Sequence, residues 1–274
     1  MASVSRGVLP GLSLTLGLSV FYLGALVLFP IAACFFKAGT LSWDEFAAAV
    51  WTERARAAYA LTFGASFIAA FVNLFIGGII AWVLVRYTFP GRRLLDSLVD
   101  LPLALPTAVA GLVYASLYVE TGWLGRFLVP LGFEGAYTRS AVVLVLVFVG
   151  LPFVVRTVQP VLENLDAETE EASASLGGTR WQTFRHVILP TLYPALTTGF
   201  ALSFARAIGE YGSVVFVSGN MPYKTEIAPI LIVARLEEFA YAEATAIAVV
   251  LLVASLSMLV LINLLERRSR RHDV

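Results

Sequence analysis

Arg206 and Glu210 carry opposite charges within a stretch that is otherwise free of ionisable acids and bases from Val187 to Val217. In hydrocarbon a charge at a helix centre costs roughly 2.5 to 3.5 kcal/mol on insertion scales, so each calls for a partner or a wet cavity. Their i, i+4 spacing places them on one helix face, where they can pair. An arginine fork hydrogen-bonds a tetrahedral oxyanion, and an adjacent carboxylate that partly neutralises it keeps such a site from holding the ion too tightly for release. Two readings stay open: a self-neutralising structural pair, or an Arg206 that lines an anion route or its gate while Glu210 restrains it. Tyr211 and Ser213 follow on the same expected helix and offer hydroxyls, and Gly209 and Gly212 flank the acid, where they permit close packing or loosen the helix.

Little else in the chain has the makings of a reaction centre. There is one cysteine, Cys34, so neither an internal disulfide nor a thiolate metal cage can be built. The two histidines, His186 and His272, lack metal-ligand spacing, and an intramembrane enzyme would want a nucleophile and base on one side, whereas Cys34 and His186 fall on opposite expected sides. No Gly-x-x-x-x-Gly-Lys-Ser/Thr loop is present to hold nucleotide phosphates. Nineteen Lys plus Arg balance nineteen Asp plus Glu, which removes the basic footprint expected of a nucleic-acid binder.

The elements that must carry Arg206 and Glu210 follow from composition. The 274 residues are 59% hydrophobic and 14% charged, against roughly 25% charged in soluble domains. About 20 helical residues cross a ~30 Å hydrocarbon layer. Five charge-free runs of that length occur, 7–36, 57–85, 101–119, 187–205 and 244–265, and a sixth run of sixteen residues lies between Arg139 and Arg156, whose heads can snorkel to the interface. These predict an all-α polytopic membrane protein, a single transmembrane domain with six transmembrane helices near 11–34, 58–86, 96–119, 139–161, 195–218 and 242–265. On this count Arg206 and Glu210 fall near mid-membrane, Arg206 about eleven residues, or ~16 Å, beyond Ala195. With the N-terminus inside, eleven Lys and Arg fall on the cytoplasmic side and seven on the other, which predicts both termini cytoplasmic. The Ile31-Ala32-Ala33-Cys34 stretch has the look of a lipidation box, but only Arg6 precedes a run too long for a signal core, so Cys34 is expected near the outer end of an uncleaved helix.

Two further segments have internal logic. Trp43 and Trp51 suit an interfacial stretch, and Pro102 and Pro106 at the start of the third span predict either a turn ahead of the helix or a kink buried within protein. The cytoplasmic segment 163–190 predicts a helical hairpin. Asp166 is placed to cap its first arm, Glu168, Glu170 and Glu171 sit in the positive first turns, and Gly177 can adopt the left-handed stop. Thr179 to Gln182 matches a capping box and opens the second arm, along which Trp181, Phe184, Val187 and Ile188 form an apolar stripe. Such a hairpin can lie on lipid headgroups or dock on a partner.

Glu171-Ala172-Ser173, three residues, Gly177, nine residues, then Val187-Ile188-Leu189-Pro190 resembles the EAA loop of ABC-importer permeases, with Ser173 for the second alanine and Val187 for isoleucine. The runs from Asp100 to Gly111, Phe204 to Ser213 and Gly219 to Glu226 are similar to sulfate/thiosulfate importer permeases and their molybdate relatives, the last most of all to the T-type subunit. The resemblance implies a type I, MetI-like importer permease of a bacterial inner membrane. It also implies a second, W-type permease, two cytoplasmic ATPase subunits that bind the ATP and Mg this chain does not, and a periplasmic sulfate-binding protein. Glu171, Ala172, Ser173, Gly177, Val187, Leu189 and Pro190 would then be the ATPase-coupling residues, and Arg206, Glu210, Tyr211 and Ser213 the translocation pathway or gate. The alternatives are a molybdate or tungstate importer, or a secondary anion transporter or channel that works without an ATPase.

Overall fold

The computed structural model describes residues 12–270, so Arg6, Arg271, His272 and the first part of the first apolar run lie outside the described residues. Every regular element among those described is helical. Helix α1 (Leu12–Leu23) passes through a π turn (Gly24–Leu28) into α2 (Phe29–Ala38) as one apolar rod. Its side chains are largely uncovered, Leu14 and Phe29 being 76% and 72% exposed. Cys34 is a half-buried free thiol facing an apolar cleft beside Ile208 and Leu252. The short helix α3 (Trp43–Val50) is held by a capping box in which Ser42 accepts from the Glu45 amide and the Glu45 carboxylate accepts from the Ser42 amide at 2.8 Å. Those bonds to Ser42, its amide first and then its hydroxyl, hold the Glu45 carboxyl below the usual range. Trp43 and Trp51 flank α3, both widely exposed.

Helix α4 (Glu53–Arg86) runs for 34 residues without a proline, about 51 Å at 1.5 Å per residue. Its buried face is a stripe of small side chains, among them Ala55, Ala58, Ala65, Ala69, Gly77 and Ala81. The chain next forms α5 (Arg92–Val99), α6 (Leu101–Ala104) and α7 (Thr107–Tyr118). The segment 96–119 is therefore broken twice rather than forming one spanning helix. Leu105 is extended (φ −82°, ψ 137°) because Pro106 follows, and a residue before proline is pushed out of the helical region. A short helix α8 (Gly125–Leu128) and a 3-10 turn (Val129–Leu131) lead to α9 (Arg139–Glu163), which carries Pro152 and Pro160.

The hairpin follows as α10 (Ala167–Ser175) and α11 (Arg180–Thr183). A second π turn (Phe184–Ile188) joins α11 without interruption to α12 (Leu189–Ile208). The helix in the place of the expected fifth span thus runs from Arg180 to Ile208, starting and stopping earlier than the 195–218 expected. Beyond it come α13 (Val214–Val217), α14 (Ala228–Glu237) and α15 (Tyr241–Arg270). Among the described residues five helices are long and apolar enough to cross a membrane, and the broken α5 to α7 segment stands where a sixth is expected.

Helices α4, α9 and α12 pack together most extensively and form the wedge on which the rest is mounted. Lipid tails are as apolar as leucine, so such contacts rest on close packing and hydrogen bonds rather than on a hydrophobic drive. Glycines permit the approach. A Cβ on Gly77 would lie 2.9 Å from Val154, one on Gly199 2.4 Å from the Thr157 hydroxyl, and one on Gly150 2.4 Å from the Ser203 hydroxyl and 2.6 Å from the Asn73 amide nitrogen. The last pair is a fully buried hydrogen bond, Asn73 Nδ2 donating to Ser203 Oγ at 3.1 Å. Gly150→Ala is expected to force the α4–α9–α12 contact apart and to destabilise the fold by about 1–3 kcal/mol, the range for overpacked cores. Thermal unfolding in detergent measures this, and a midpoint equal to that of the parent would count against the wedge.

Candidate functional site

Where α12 ends, the chain leaves the helical path at Gly209 and does not resume until α13. Glu210 fills this gap and is 2% exposed. Its Oε2 accepts from Arg206 Nη1 at 2.6 Å, and its Oε1 accepts from both the amide and the hydroxyl of Ser213 at 2.8 Å. Glu210 therefore pairs with the arginine and at the same time satisfies a backbone donor that the broken helix leaves free. The pairing expected of Arg206 and Glu210 is present, but not along one continuous helix: Arg206 is in the last turn and Glu210 lies beyond the end. Gly209 and Gly212 weaken helix continuation here, and the carboxylate competes for the Ser213 amide. Arg206 keeps 31% of its side chain exposed. Tyr211 is exposed and Ser213 is buried.

The first break packs on the second. A Cβ on Gly111 of α7 would fall 2.2 Å from the Ser213 carbonyl oxygen, and one on Gly212 would fall 2.3 Å from the Thr107 hydroxyl. Two interrupted helices thus meet through glycine, with Arg206, Glu210 and Ser213 at the junction. Pro102 is buried, whereas Pro106, Val109, Leu112 and Val113 are exposed, so only part of the break is covered within this chain. Non-helical backbone at membrane depth persists only where it is buried in protein or lines a watery cavity, and here Gly111 and Gly212 bring the two breaks against each other.

Arg156, expected to snorkel, turns inward. Its guanidinium donates to both carboxylate oxygens of Asp100 at 2.9 and 2.6 Å, and to the Asp96 carboxylate at 2.6 Å and backbone carbonyl at 2.8 Å. It thereby pins the α5–α6 break to α9. Arg139 likewise donates to the Lys224 carbonyl at 2.8 Å rather than reaching for headgroups. The acids themselves were legible as Asp96 and Asp100 opening the third span, but no spacing rule pairs them with an arginine some sixty residues away.

In the hairpin, Gly177 holds φ +83°, and the Gly178 amide returns to the Ser173 carbonyl at 2.9 Å. The Ser173 hydroxyl lies 2.9 Å from that of Thr183 and ties the two arms together. The Thr179 capping box forms, Gln182 accepting from the Thr179 amide at 2.8 Å. Asp166 occupies the cap position of α10 but its side chain makes no capping hydrogen bond; Thr169 instead donates to its carbonyl. Ala172, Ser173, Gly177 and Val187 line a shallow cleft of about 600 Å³. Glu171, Leu189 and Pro190 are exposed, as are Leu176 at 89% and Trp181 at 65%. Exposed leucine and tryptophan on a segment tied by polar caps are the marks of a surface made to be covered.

Long apolar helices, paired broken helices with a buried ion pair, and a projecting hairpin together define a multi-pass membrane permease. The family model described as "Binding-protein-dependent transport system inner membrane component" matches residues 73–271, and the chain belongs to that family. The sulfate transport system permease protein CysT of Salmonella typhimurium is 47% identical over 274 residues, 100% of this chain and 99% of that one. CysT of Escherichia coli K12 is 47% identical over 98% of both chains, and that of Synechocystis is 48% identical over 93% of this chain and 89% of its own. Among solved structures, a bacterial ABC transporter involved in the import of alginate superposes with a TM-score of 0.78 over 94% of this chain and 95% of that one, at 15% identity. The MetNI methionine transporter superposes at 0.55 and 19% identity, over 85% of this chain and 100% of its own. The chain is thus a transporter component, an ABC-importer permease seated in the membrane by several apolar helices.

Glu210→Ala removes both the partner of Arg206 and the acceptor of the Ser213 amide, and is expected to lower stability by about 1–3 kcal/mol, the penalty for an unsatisfied buried donor. Glu210→Gln keeps an acceptor for Ser213 and should cost less. Chemical unfolding of the two variants in one detergent gives the comparison; equal losses would leave the Ser213 contact without weight.

Proposed function

We propose that this chain is the T-type permease subunit of an ATP-driven importer that carries sulfate and thiosulfate into the cytoplasm. The observation that carries the reading is Arg206, half-covered and only partly neutralised, at the junction of two broken helices in a chain alignable end to end with sulfate permeases. Its free donors suit a tetrahedral oxyanion, and Glu210 limits how strongly the ion is held. The exposed Tyr211 lines the same route, whereas Ser213, expected beside it, is buried and acts through the Glu210 carboxylate that it holds. The uncovered face of α7, with Pro106 and Leu112, meets a second permease of the W type, so the path lies between the two.

Glu171, Ala172, Ser173, Gly177, Val187, Leu189 and Pro190 form the surface that two cytoplasmic ATPase subunits grip, and those subunits supply the site for ATP and Mg. A periplasmic sulfate-binding protein delivers the anion at the opposite face, which places the hairpin and both termini in the cytoplasm. In support, the solved alginate importer is also known in complex with a periplasmic protein that holds its alginate pentasaccharide.

Labelled-sulfate uptake in cells lacking the chain, before and after its restoration, is the direct test. Restored uptake that thiosulfate suppresses and molybdate does not is the expected result; uptake left unchanged in an assembled complex refutes the substrate. Arg206→Ala is expected to lower uptake about tenfold or more while assembly persists, in line with the loss of a charged hydrogen bond. For the hairpin, Gly177→Asp places a side chain at φ +83° on the docking surface. ATP hydrolysis without uptake is its expected phenotype, and intact coupled transport would remove the hairpin from the mechanism.

A further inference from the structure

Both ends of α4 are clasped by acids that belong to distant parts of the chain. In its first turn Arg54 forms a two-pronged pair with Glu226, Nε to Oε2 at 2.8 Å and Nη2 to Oε1 at 2.7 Å, and Glu226 is 4% exposed. In its last turn Arg86 pairs with Glu170 of α10, while its guanidinium lies 5.2 Å from the Trp82 ring centre. Trp82 in turn meets Phe184 edge-on at 5.9 Å, so both arms of the hairpin reach the same end of α4.

At the far end the acid sits in a closed loop. The Met221 carbonyl accepts from the amides of Lys224, Thr225 and Glu226, and Asn220 and Tyr223 hold positive φ of 51° and 65°. Non-glycine residues held in that region are sustained only by their surroundings, and here the Arg54 clasp and the Arg139 bond to Lys224 supply them. Thr62 of α4 adds a bond from the Ala228 amide at 2.8 Å, immediately beyond the loop. Met221 and Tyr223 remain exposed.

A rigid secondary element is one carrier of coupling over this distance. Helix α12 is continuous with the hairpin but ends at Gly209, and α9 carries two prolines. Helix α4 has neither break nor proline and is held laterally by glycine contacts with α9.

We propose that α4 is a strut that links the hairpin to the loop Met221–Glu226 on the opposite face, with Arg86–Glu170 and Arg54–Glu226 as positioning pairs at its two ends. The proposal rests on the reading of the hairpin as the ATPase dock. Because coupling between sites is reciprocal, the strut reports arrival at the outer loop to the ATPase and returns ATPase closure to the loop.

The test is ATP hydrolysis by the reconstituted whole complex, with and without purified sulfate-binding protein loaded with sulfate. Arg86→Glu and Arg54→Lys are expected to keep basal hydrolysis within about twofold and to lower the stimulation ratio about two- to tenfold, the usual reach of coupling residues. Adding Glu170→Arg to Arg86→Glu restores the ratio, whereas a merely structural loss would not reverse. The two single variants combined should lose no more than the worse of them. Full stimulation in Arg86→Glu, failure of the reversed pair, or losses that multiply across the two ends each overturn the strut. An unstimulated parent complex would instead overturn the importer reading on which it rests.

Discussion

A backbone amide in hydrocarbon has no water to turn to, and most of this structure answers that constraint. Unbroken helices meet it internally. The chain departs from regular helix at two places, between Val99 and Thr107 and after Ile208, and both are braced by neighbouring groups. Glu210 repairs the second by accepting from the Ser213 amide. Arg156 secures the first by seizing Asp96 and Asp100. The charges in the bundle are thus the fittings that make irregular backbone tolerable, and irregular backbone is what brings Arg206, Glu210 and Ser213 to the junction with α7.

Close packing supplies the frame for those fittings. Because Gly77, Gly150 and Gly199 let α4, α9 and α12 approach to backbone distance, the wedge has no slack to absorb a moving side chain. The remaining helices are less committed. The rod formed by α1 and α2 leaves its apolar side chains uncovered, and α7 presents Val109, Leu112 and Val113 outward. A rigid centre with open flanks suits a half-channel that is completed by a second subunit.

Much of this was legible in the residues. Hydrophobic run length revealed the helical membrane class, and the Thr179 capping box and the Gly177 stop placed the hairpin to the residue, because caps and left-handed turns are local chemistry. The pairing of Arg206 with Glu210 followed from spacing alone. What run length could not reveal was interruption: 195–218 reads as one apolar stretch, yet Gly209 and the side chain of Glu210 end the helix inside it. Nor could it reveal that the helix containing α12 runs unbroken from Arg180, fifteen residues ahead of the expected 195, since the polar face of Arg180 to His186 hides a helix from any hydropathy window. The long-range pairs of Arg156, Arg86 and Arg54 depend on which helices are neighbours, and that is settled by packing rather than by sequence spacing.

The π turn at Phe184–Ile188 sits between the hairpin and α12 and shares its winding with both. Such a turn holds one residue more than an α turn, and in an α-helix each residue advances the azimuth by about 100°. The compass bearing of the hairpin about the α12 axis is therefore fixed by a single residue of surplus winding, independently of the register that α12 keeps against α4 and α9. Loss or gain of one residue there would swing the docking surface around the axis and leave the transmembrane packing where it stands. A lineage of such proteins could thus re-aim the exposed face of its hairpin by the smallest length change a gene can make in frame.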